Sequence, residues 1–368
     1  MPGGRDVSVE EGQSGTAEIW NRRIRDLAPY VVIFAGLVAA LYFGQGALKP
    51  LALAILITTL INAATDKLTT IRIGAFRASR WMGLTLTTLA MVAVVFVFAR
   101  ILTDQVEQLS AGWPHYVSRL EALSAWITAM LGAEIAGKVT DYIGSIDIAS
   151  AASVVLGSTG SMLADLGMVA LYAAFLIPAR DSSVRKLSAL FPVEADHRMV
   201  TRVLTSISES TRKYMLIKTA MSVMTGVASY VVMLFVGLDF AATWAVLIFL
   251  LNYIPTIGSI IGVILPCILA LVQFDALATV VTVIALLGGI QFMIGNIIEP
   301  IYMGKTLNLS SVVVILALTL WGSLWGVFGM FLSVPLTVMI MISCAHIPPL
   351  RWFAIILSED GKVGGEAA

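Results

Sequence analysis

Long runs of apolar residues are the feature that most constrains the fold of this chain. A helix needs about 20 mostly apolar residues to cross the hydrocarbon core of a bilayer. Barrel strands instead alternate apolar and polar residues in shorter segments, so unbroken runs predict helices. Eight stretches reach or approach the required length: Leu27–Gly46, Ala47–Ala64, Trp81–Leu102, Ser161–Pro178, Tyr214–Val236, Phe240–Gln273, Ala276–Ile298 and Ser310–Ala345.

The composition agrees with a membrane protein. Hydrophobic residues make up 58% of the 368 residues and charged residues 12%, with a mean hydropathy of +0.92, whereas soluble domains carry about twice that charge. The predicted fold class is therefore an all-α polytopic membrane protein with about eight membrane segments. The net charge is zero, so a nucleic-acid partner is not expected. The cysteines and histidines show no metal or catalytic spacing, so no metal, other cofactor or enzymatic site is expected.

Charge in the loops predicts the orientation. Lys and Arg cluster before the first run, between the second and third runs, and between the fourth and fifth runs, whereas the long third loop is mainly acidic. Because basic loops face the cytoplasm, we expect a multi-pass inner-membrane protein with both termini in the cytoplasm. The third loop carries apolar residues at helical spacing between Tyr116 and Leu131, which predicts an external amphipathic helix. Packing or oligomer contact is its simpler role, and a substrate vestibule is the alternative.

Two of the apolar runs are too long for a single span. As a straight helix at about 1.5 Å per residue, residues 240–273 would reach roughly 51 Å, against a core of about 30 Å. Proline and glycine interrupt this run near Pro255, and glycines and Pro335 interrupt residues 310–345 in the same way. Both runs are therefore predicted to be broken or re-entrant. Hairpins would make the second unit an inverted copy of the first, and tilted single spans would make it a parallel copy.

The interrupted runs point to a transport site. The run from Gly258 to Val263 resembles that from Gly322 to Val327, and paired interruptions in corresponding segments are typical of transporter binding sites. Polar side chains in apolar segments normally face a cavity or a partner, as we expect for Asn252, Gln291, Asn296 and Glu299. Pro300 is predicted to end the helix at Glu299, with Lys305 as a possible partner of that carboxylate. Lys218 lies near the end of its run and is left out of the site, since it can snorkel.

Three motifs give the chain a family resemblance. They are Asn252 to Gly258 with Gly262, Gly295 to Pro300 with Lys305, and Trp321-Gly322 through Gly326, Gly329 and Pro335. With them the chain resembles the autoinducer-2 exporter family of membrane transporters, the PerM-like permeases, over about residues 20 to 355. The resemblance implies eight membrane segments, a large external loop and homo-oligomers. It also implies export of a small signalling molecule in some members and sodium/proton exchange in others.

The leading hypothesis is a secondary transporter or facilitator, working as an exporter, of a small polar organic solute such as an autoinducer-2-like molecule. Proton or sodium coupling through Glu299 is possible, and membrane lipids are expected partners. Sodium/proton antiport is one alternative and a non-transporting scaffold or regulator is another. The predicted substrate or ion pathway comprises Asn252, Tyr253, Pro255, Gly258, Gly262, Gln291, Asn296, Glu299, Pro300, Lys305, Gly322, Gly326 and Gly329.

The expected domains follow from these assignments. They are a cytoplasmic tail (1–26), three spans (27–102), an external amphipathic region (103–160), a fourth span (161–178), a cytoplasmic linker helix (179–213), a transport core (214–345) and a cytoplasmic C-terminal tail (346–368).

Overall fold

The structure is a computed structural model that describes residues 35–70, 167–178, 186–304 and 307–363, together with Val32 and single or paired positions between 72 and 128. The tail 1–26, most of the third span, most of the external region and Lys305 lie outside the described residues. The chain forms two compact units, residues 1–49 and 50–368. In the first unit, residues 35–43 are helical.

The described elements are almost entirely helical, which confirms the all-α prediction. A two-residue antiparallel pair, β1 (Arg72–Ile73) with β2 (Phe76–Arg77), lies in a loop. A 3-10 turn covers Pro348–Leu350. The helices are α1 (Gln45–Thr70), α2 (Gly167–Pro178), α3 (Glu194–Val236), α4 (Ala241–Leu251), α5 (Ile257–Gln273), α6 (Leu277–Phe292) continued by a π-helix (Met293–Ile298) and α7 (Glu299–Met303), α8 (Ser311–Trp325), α9 (Val327–Ala345) and α10 (Arg351–Leu357).

Four helices of the described residues are long and apolar enough to cross a bilayer, as judged by length and composition. Large apolar side chains point outward along them: Phe235 is 87% exposed and Ile301 71% exposed. An apolar exterior of this extent is unfavourable in water and suits a lipid solvent. The four are Gln45–Asp66, Asp196–Val236, Leu277–Met303 and Val327–Ala345.

Helix α3 differs from the sequence prediction because it is continuous. Residues 194–213 of the expected linker helix (179–213) and the expected span from Tyr214 form one helix of 43 residues, about 64 Å long. Glu194 and Asp196 occupy its first turn, where carboxylates oppose the positive end of the helix dipole. The helix ends at Gly237, whose φ of 75° is left-handed and costs little in glycine. No glycine or proline lies inside the junction, so nothing interrupts the helix there.

The segment from 240 to 273 is a helical hairpin, here called hairpin 1. Its two arms, α4 and α5, are joined by residues 252–256. An added Cβ at Gly258 would lie 1.7 Å from the Leu251 carbonyl oxygen, and one at Gly262 would contact Ile248. Positions progressively farther from the turn therefore face each other, which is the pattern of antiparallel arms. Glycine is required at Gly258 because only its absent side chain lets the arms approach so closely.

The segment from 310 to 345 is hairpin 2, formed by α8 and α9 with Gly326 as the linking residue. Gly326 has φ 65° and ψ −143°, a conformation that is essentially confined to glycine. The Trp321 indole donates a hydrogen bond to the Thr337 hydroxyl at 3.3 Å. Along one straight helix these residues would be about 24 Å apart, so the chain folds back on itself.

The two hairpins begin at opposite ends of α3. At the C-terminal end of α3, Gln273 accepts a hydrogen bond from the backbone N–H of Asp239 and donates one to the Gly237 carbonyl. Both ends of hairpin 1 therefore lie there. Both ends of hairpin 2 border a cavity shared with the first half of α3, through Asn308, His346 and Arg202. Helix α3 with hairpin 1 and helix α6 with hairpin 2 are consequently related as inverted copies, the arrangement that hairpins imply.

The glycines that match in sequence, Gly258 and Gly322, do not occupy equivalent positions in the two hairpins. Gly258 opens the second arm of hairpin 1, whereas Gly322 lies on the first arm of hairpin 2, against Met330. The structural counterpart of Gly258 is Gly329, because an added Cβ there would lie 1.8 Å from the Trp321 carbonyl oxygen. The sequence match therefore identified the two interrupted segments correctly but aligned Gly258 with Gly322, whereas its structural counterpart is Gly329.

The predicted C-terminal tail (346–368) is also folded in part. Leu309 and Ser358 form an antiparallel bridge, and the Ser310 N–H donates to the Leu357 carbonyl. Helix α10 and the residues after it are thereby attached to the entrance of hairpin 2.

Substituting the glycines at the closest contacts should unfold the hairpins. Gly258→Ala and Gly329→Ala are each expected to lower the free energy of unfolding by about 3 kcal/mol, because the obstructing atoms are backbone and cannot move aside alone. Gly289→Ala is the matched control, since no atom lies within 4 Å of an added Cβ there. Denaturation of the purified variants in detergent measures the difference. Equal stability of Gly258→Ala and Gly289→Ala would contradict the hairpin packing.

Candidate transport site

An ion pair links the middle of α3 to the start of α7. The Lys218 ammonium nitrogen lies 2.5 Å from a Glu299 carboxylate oxygen, and the two side chains are 6% and 17% exposed. A charge in an apolar segment is costly unless it is paired, and this contact supplies the partner. Leaving Lys218 out of the site was therefore wrong. The partner of Glu299 is Lys218, and Lys305 lies outside the described residues.

A π-helix carries Glu299 into this position. Residues 293–298 form it, and the Glu299 N–H donates to the carbonyl of Ile294, five residues back. Pro300 follows at the second position of α7. The wider π turn displaces the carbonyl that a proline ring would strike in a regular α-helix. The helix therefore continues to Met303, and its C-cap is Gly304. The prediction that Pro300 ends the helix at Glu299 is wrong.

Asn252 is the centre of a buried polar cluster at the tip of hairpin 1. Its side chain is among the fully buried ones, and the residue is 2% exposed. The amide nitrogen donates to the Ser222 hydroxyl on α3 at 3.1 Å. The amide oxygen accepts from Ser259 on α5 and from Gln291 on α6, both at 3.5 Å. One amide thus joins three helices, a satisfied network of the kind that fixes a unique packing.

Tyr253 anchors the same tip by a second set of contacts. Its hydroxyl donates to the Thr219 hydroxyl at 2.8 Å. Its ring packs against Phe249 and against Phe331 of hairpin 2, with centroids 5.6 and 4.8 Å away. The region just beyond the turn of hairpin 2 therefore meets the tip of hairpin 1.

The turn of hairpin 1 contains a strained residue. Thr256 has φ 60° and ψ −61°, and the Ile257 N–H donates to the Pro255 carbonyl at 2.6 Å across it. This is a γ-turn of the positive-φ type, which is rare and strained. A β-branched side chain makes it still less favourable. Strain of this kind persists only where the surrounding contacts enforce it and is enriched at binding sites.

A cavity of about 660 Å³ lies among hairpin 1, α6 with its π-helix, hairpin 2 and α3. Ile260, Val263, Ile264, Phe292, Val314 and Val334 form much of its apolar wall. Its polar lining is provided by Tyr214, Lys218, Thr256, Ser259, Gln291, Asn296 and Glu299.

The structure brings only some of the predicted pathway residues to the cavity. Pro255, Gln291, Asn296 and Glu299 line it, whereas Asn252 and Tyr253 support its wall from behind. The glycines have packing roles in the two hairpins, and Pro300 lies within α7. The lining residues that sequence reasoning missed are Lys218, Tyr214, Thr256 and Ser259.

The two ends of hairpin 1 contact Tyr116 and Arg119 of the long third loop. Asp239 accepts a hydrogen bond from the Tyr116 hydroxyl at 2.7 Å, and Asp275 pairs with Arg119. Burial and the hydrogen bond to the Asp239 carboxylate both raise the pKa of Tyr116 above its usual value, so the phenol stays protonated as the donor. The two carboxylates flanking hairpin 1 therefore attach it to these two residues of the loop.

A helical membrane fold with a polar cavity between two interrupted segments defines a membrane transporter as the class. The sequence profile described as AI-2E family transporter matches residues 31–348. The chain belongs to the AI-2E transporter family, as the resemblance predicted.

Individual relatives agree with this assignment, two of them over nearly the whole chain and one over half of it. The AI-2 transport protein TqsA of Escherichia coli is 28% identical over 345 residues, covering 90% of this chain and 96% of TqsA. A Haemophilus influenzae protein named for transport is 27% identical over 350 residues, covering 92% and 97%. The Escherichia coli protein YhhT is 38% identical over 181 residues, covering 49% and 50%.

Removing one partner of the buried ion pair should destabilise the protein more than removing both. Lys218→Met leaves Glu299 charged without a partner and is expected to cost about 3 kcal/mol of unfolding free energy. The double variant Lys218→Met with Glu299→Met should recover most of that loss. The Arg198–Glu194 pair is the control, since its side chains are 68% and 82% exposed and such pairs couple by about 0.5 kcal/mol. A detergent denaturation cycle that shows equal coupling for the two pairs would contradict the geometry.

Replacing threonine by glycine should stabilise the protein in the γ-turn and destabilise it in a regular helix. Thr256→Gly is expected to raise the free energy of unfolding by about 1 kcal/mol, because glycine adopts positive φ without strain. Thr282→Gly in α6 should lower it by a few tenths of a kcal/mol, since glycine is the poorer helix former. Unfolding midpoints of the two variants provide the comparison, and a loss of stability at both positions would argue against strain at Thr256.

Proposed function

We propose that this chain is a secondary transporter or facilitator for a small polar organic solute and that the cavity beside the Lys218–Glu299 pair is its binding site. The observation that carries the proposal is the convergence of an ion pair, two amides and three hydroxyls on one cavity within otherwise apolar helices. Polar groups are costly in such a setting unless they serve a partner or a ligand. Here Asn296, Gln291 and Ser259 face the cavity.

The cavity has the size and chemistry of a small-molecule site. Its volume of about 660 Å³ falls in the range of about 300–1,000 Å³ of known ligand pockets. Gln291 and Asn296 can both donate and accept hydrogen bonds, while Lys218 and Glu299 add one charge of each sign. This set favours a hydroxyl- and carbonyl-bearing solute of low net charge. The relative named AI-2 transport protein supports an autoinducer-2-like signalling molecule as the solute, and we propose export as the direction.

The hairpins supply the two sides of the site. If both dip into the bilayer from opposite faces, their tips meet near its middle, as the Tyr253–Phe331 contact favours. The basic first half of α3 then faces the cytoplasm together with both termini. Solute would reach the cavity from either face by displacement of one hairpin tip, and the strained turn at Thr256 lowers the cost of moving the tip of hairpin 1.

Ion coupling is a natural use of the same pair. The Lys218 ammonium neutralises Glu299, and a proton or a sodium ion at the carboxylate would replace it. Sodium/proton antiport is therefore the second candidate, because it needs a carboxylate that is both enclosed and reachable from a cavity. In a coupled solute transporter the ion flux requires solute, whereas in an antiporter it proceeds without solute.

Removing the carboxylate should abolish transport without removing the protein. Glu299→Gln is expected to reduce solute flux at least tenfold in liposomes at unchanged expression, since the amide keeps the shape but carries no negative charge to neutralise Lys218 or to take up a proton. Glu359→Gln, on the exposed C-terminal segment, is the control for the same chemical change. Autoinducer-2 and a panel of small polar metabolites, with and without sodium and pH gradients, serve as solutes.

The outcomes separate the candidates. Solute flux that Glu299→Gln abolishes and Glu359→Gln preserves supports the transporter. Sodium-driven dequenching of a pH dye in everted vesicles without solute, lost in Glu299→Gln, supports the antiporter. Normal flux by the Glu299→Gln variant contradicts the role given to the carboxylate.

A further inference from the structure

A second cavity lies at the opposite end of the fold from the ends of hairpin 1. Its volume is about 580 Å³, and it is enclosed by the first half of α3, the end of α9, the start of α10 and the C-terminal segment. Four basic or titratable side chains from these four elements line it: Arg202, His346, Arg351 and Lys362. The proposed transport cavity is lined mainly by other elements, so this is a separate feature.

Helix α3 presents one polar face to this cavity. Arg202, Ser206 and Ser210 are spaced four residues apart and therefore lie on the same face. Among the described residues these three side chains make no hydrogen bond or ion pair. Other basic residues of α3 do have partners: Arg198 pairs with Glu194 and Arg212 with Asp66.

The hydroxyls of Ser206 and Ser210 donate no hydrogen bond to the backbone of their own helix. Some helical threonines and serines in the fold donate to the carbonyl three or four residues back, as Thr219, Thr225 and Ser343 do, whereas the Thr58 and Thr211 hydroxyls have no partner within the described part of the chain. Ser206 and Ser210 likewise make no such bond, although both are half-buried. Their hydroxyls are thus available to a ligand in the cavity.

The C-terminal segment is held so that its basic residues reach the cavity. Asn308, with φ 44°, donates its amide hydrogens to an Asp360 carboxylate oxygen and to the Lys362 carbonyl, both at 2.8 Å. The Leu309–Ser358 bridge fixes the same strand of chain. Lys362 and Arg351 are therefore positioned by backbone structure, not only by flexible side chains.

The described residues that line the cavity bring positive charge to it. Arg202, Arg351 and Lys362 line it, and the Asp360 carboxylate lies two residues before Lys362. The backbone N–H of Lys362 and the Asn308 amide lower the pKa of Asp360, so it remains ionised and cancels one charge. Of the residues that the structure describes, those that line the cavity supply hydrogen-bond donors from Arg, Lys and Ser side chains and include no carboxylate.

The cavity extends from headgroup depth into the water beyond it. Ser210 lies about 6 Å, and Arg202 about 18 Å, beyond Tyr214 along α3, where the apolar run is predicted to start. Headgroups occupy about 5–8 Å on each side of the hydrocarbon, so Ser210 lies at headgroup depth and Arg202 on the aqueous side of it. Val338, Met341 and Ile342 of α9 form an apolar wall. A ligand here would have an anionic group facing Arg202 and could have an apolar part against α9.

We propose that this cavity binds a phosphate ester, either the headgroup of an anionic phospholipid or a soluble phosphorylated metabolite. Guanidinium groups bind phosphate oxygens through paired charge-assisted hydrogen bonds, and the two serines add neutral donors. Occupancy would join α3 to the entrance of hairpin 2 and to the C-terminal segment, stabilising the contact among them. The site is independent of the identity of the transported solute.

Ligand-dependent unfolding of the purified full-length protein in neutral detergent tests the proposal. Phosphatidylglycerol, a neutral glycolipid with the same acyl chains, inorganic phosphate and glycerol phosphate are titrated at constant ionic strength. A saturable rise in the unfolding midpoint with phosphatidylglycerol alone assigns a headgroup. A rise with the soluble phosphates alone assigns a metabolite, and a rise with both supports a site open to either source. No rise with any phosphate, or equal rises with phosphatidylglycerol and the glycolipid, overturns the proposal.

Matched variants locate the effect. Arg202→Gln should weaken the apparent affinity about tenfold, the loss expected for one charge-assisted contact, whereas Arg198→Gln, one turn away, should preserve it. The Ser206→Ala, Ser210→Ala pair should weaken it severalfold with no change in charge, and Arg202→Lys should recover part of the loss. Identical affinities for Arg202→Gln and Arg198→Gln would show general electrostatic attraction and overturn the assigned site.

Discussion

A bilayer offers no hydrogen-bonding partners, so every interruption of a helix inside it has to be satisfied by the protein itself. The two hairpins meet this requirement by different means. Hairpin 1 satisfies its turn with short backbone bonds and with the side chain of Asn252, which reaches α3 and α6. Hairpin 2 reverses at the single residue Gly326, with α9 beginning at the next residue. In both, a glycine admits a backbone carbonyl of the other arm, and the fold of the core depends on these contacts.

The same requirement explains where the polar side chains lie. Lys218 and Glu299 neutralise each other, and Tyr253 and Thr219 bond to each other. Each pair joins α3 to an element later in the chain. The Lys218–Glu299 pair also borders the cavity, whereas the Tyr253–Thr219 pair lies behind its wall. A ligand would exchange bonds with donors and acceptors that are already buried, so it would bear little of the cost of burying them.

Sequence patterns identified the interrupted segments and the residues Asn252, Gln291 and Glu299, because length and polarity are properties of single segments. They could not identify Lys218 as the partner of Glu299, since that pairing joins residues 81 positions apart. A rule that every charge in an apolar segment needs a partner would have suggested it. The π-helix was also missed, because Pro300 signals a helix end unless the preceding turn widens. The register of the two hairpins was misread because Gly-x-x-x-Gly spacing reports close packing and not which arm supplies the glycine.

The position of Glu299 directly after a π-helix has a mechanical consequence. A π turn holds one residue more than an α turn, and moving that extra residue along the helix rotates the side chains it passes by about 100°. Asn296 lies within the π-helix and Glu299 directly follows it. Lys218 lies in the regular helix α3. A small shift of the π turn would therefore separate Glu299 from Lys218 while leaving α3 in place. In the transport function proposed above, the cavity would thus combine one charge fixed on a regular helix with one charge that such a shift would move.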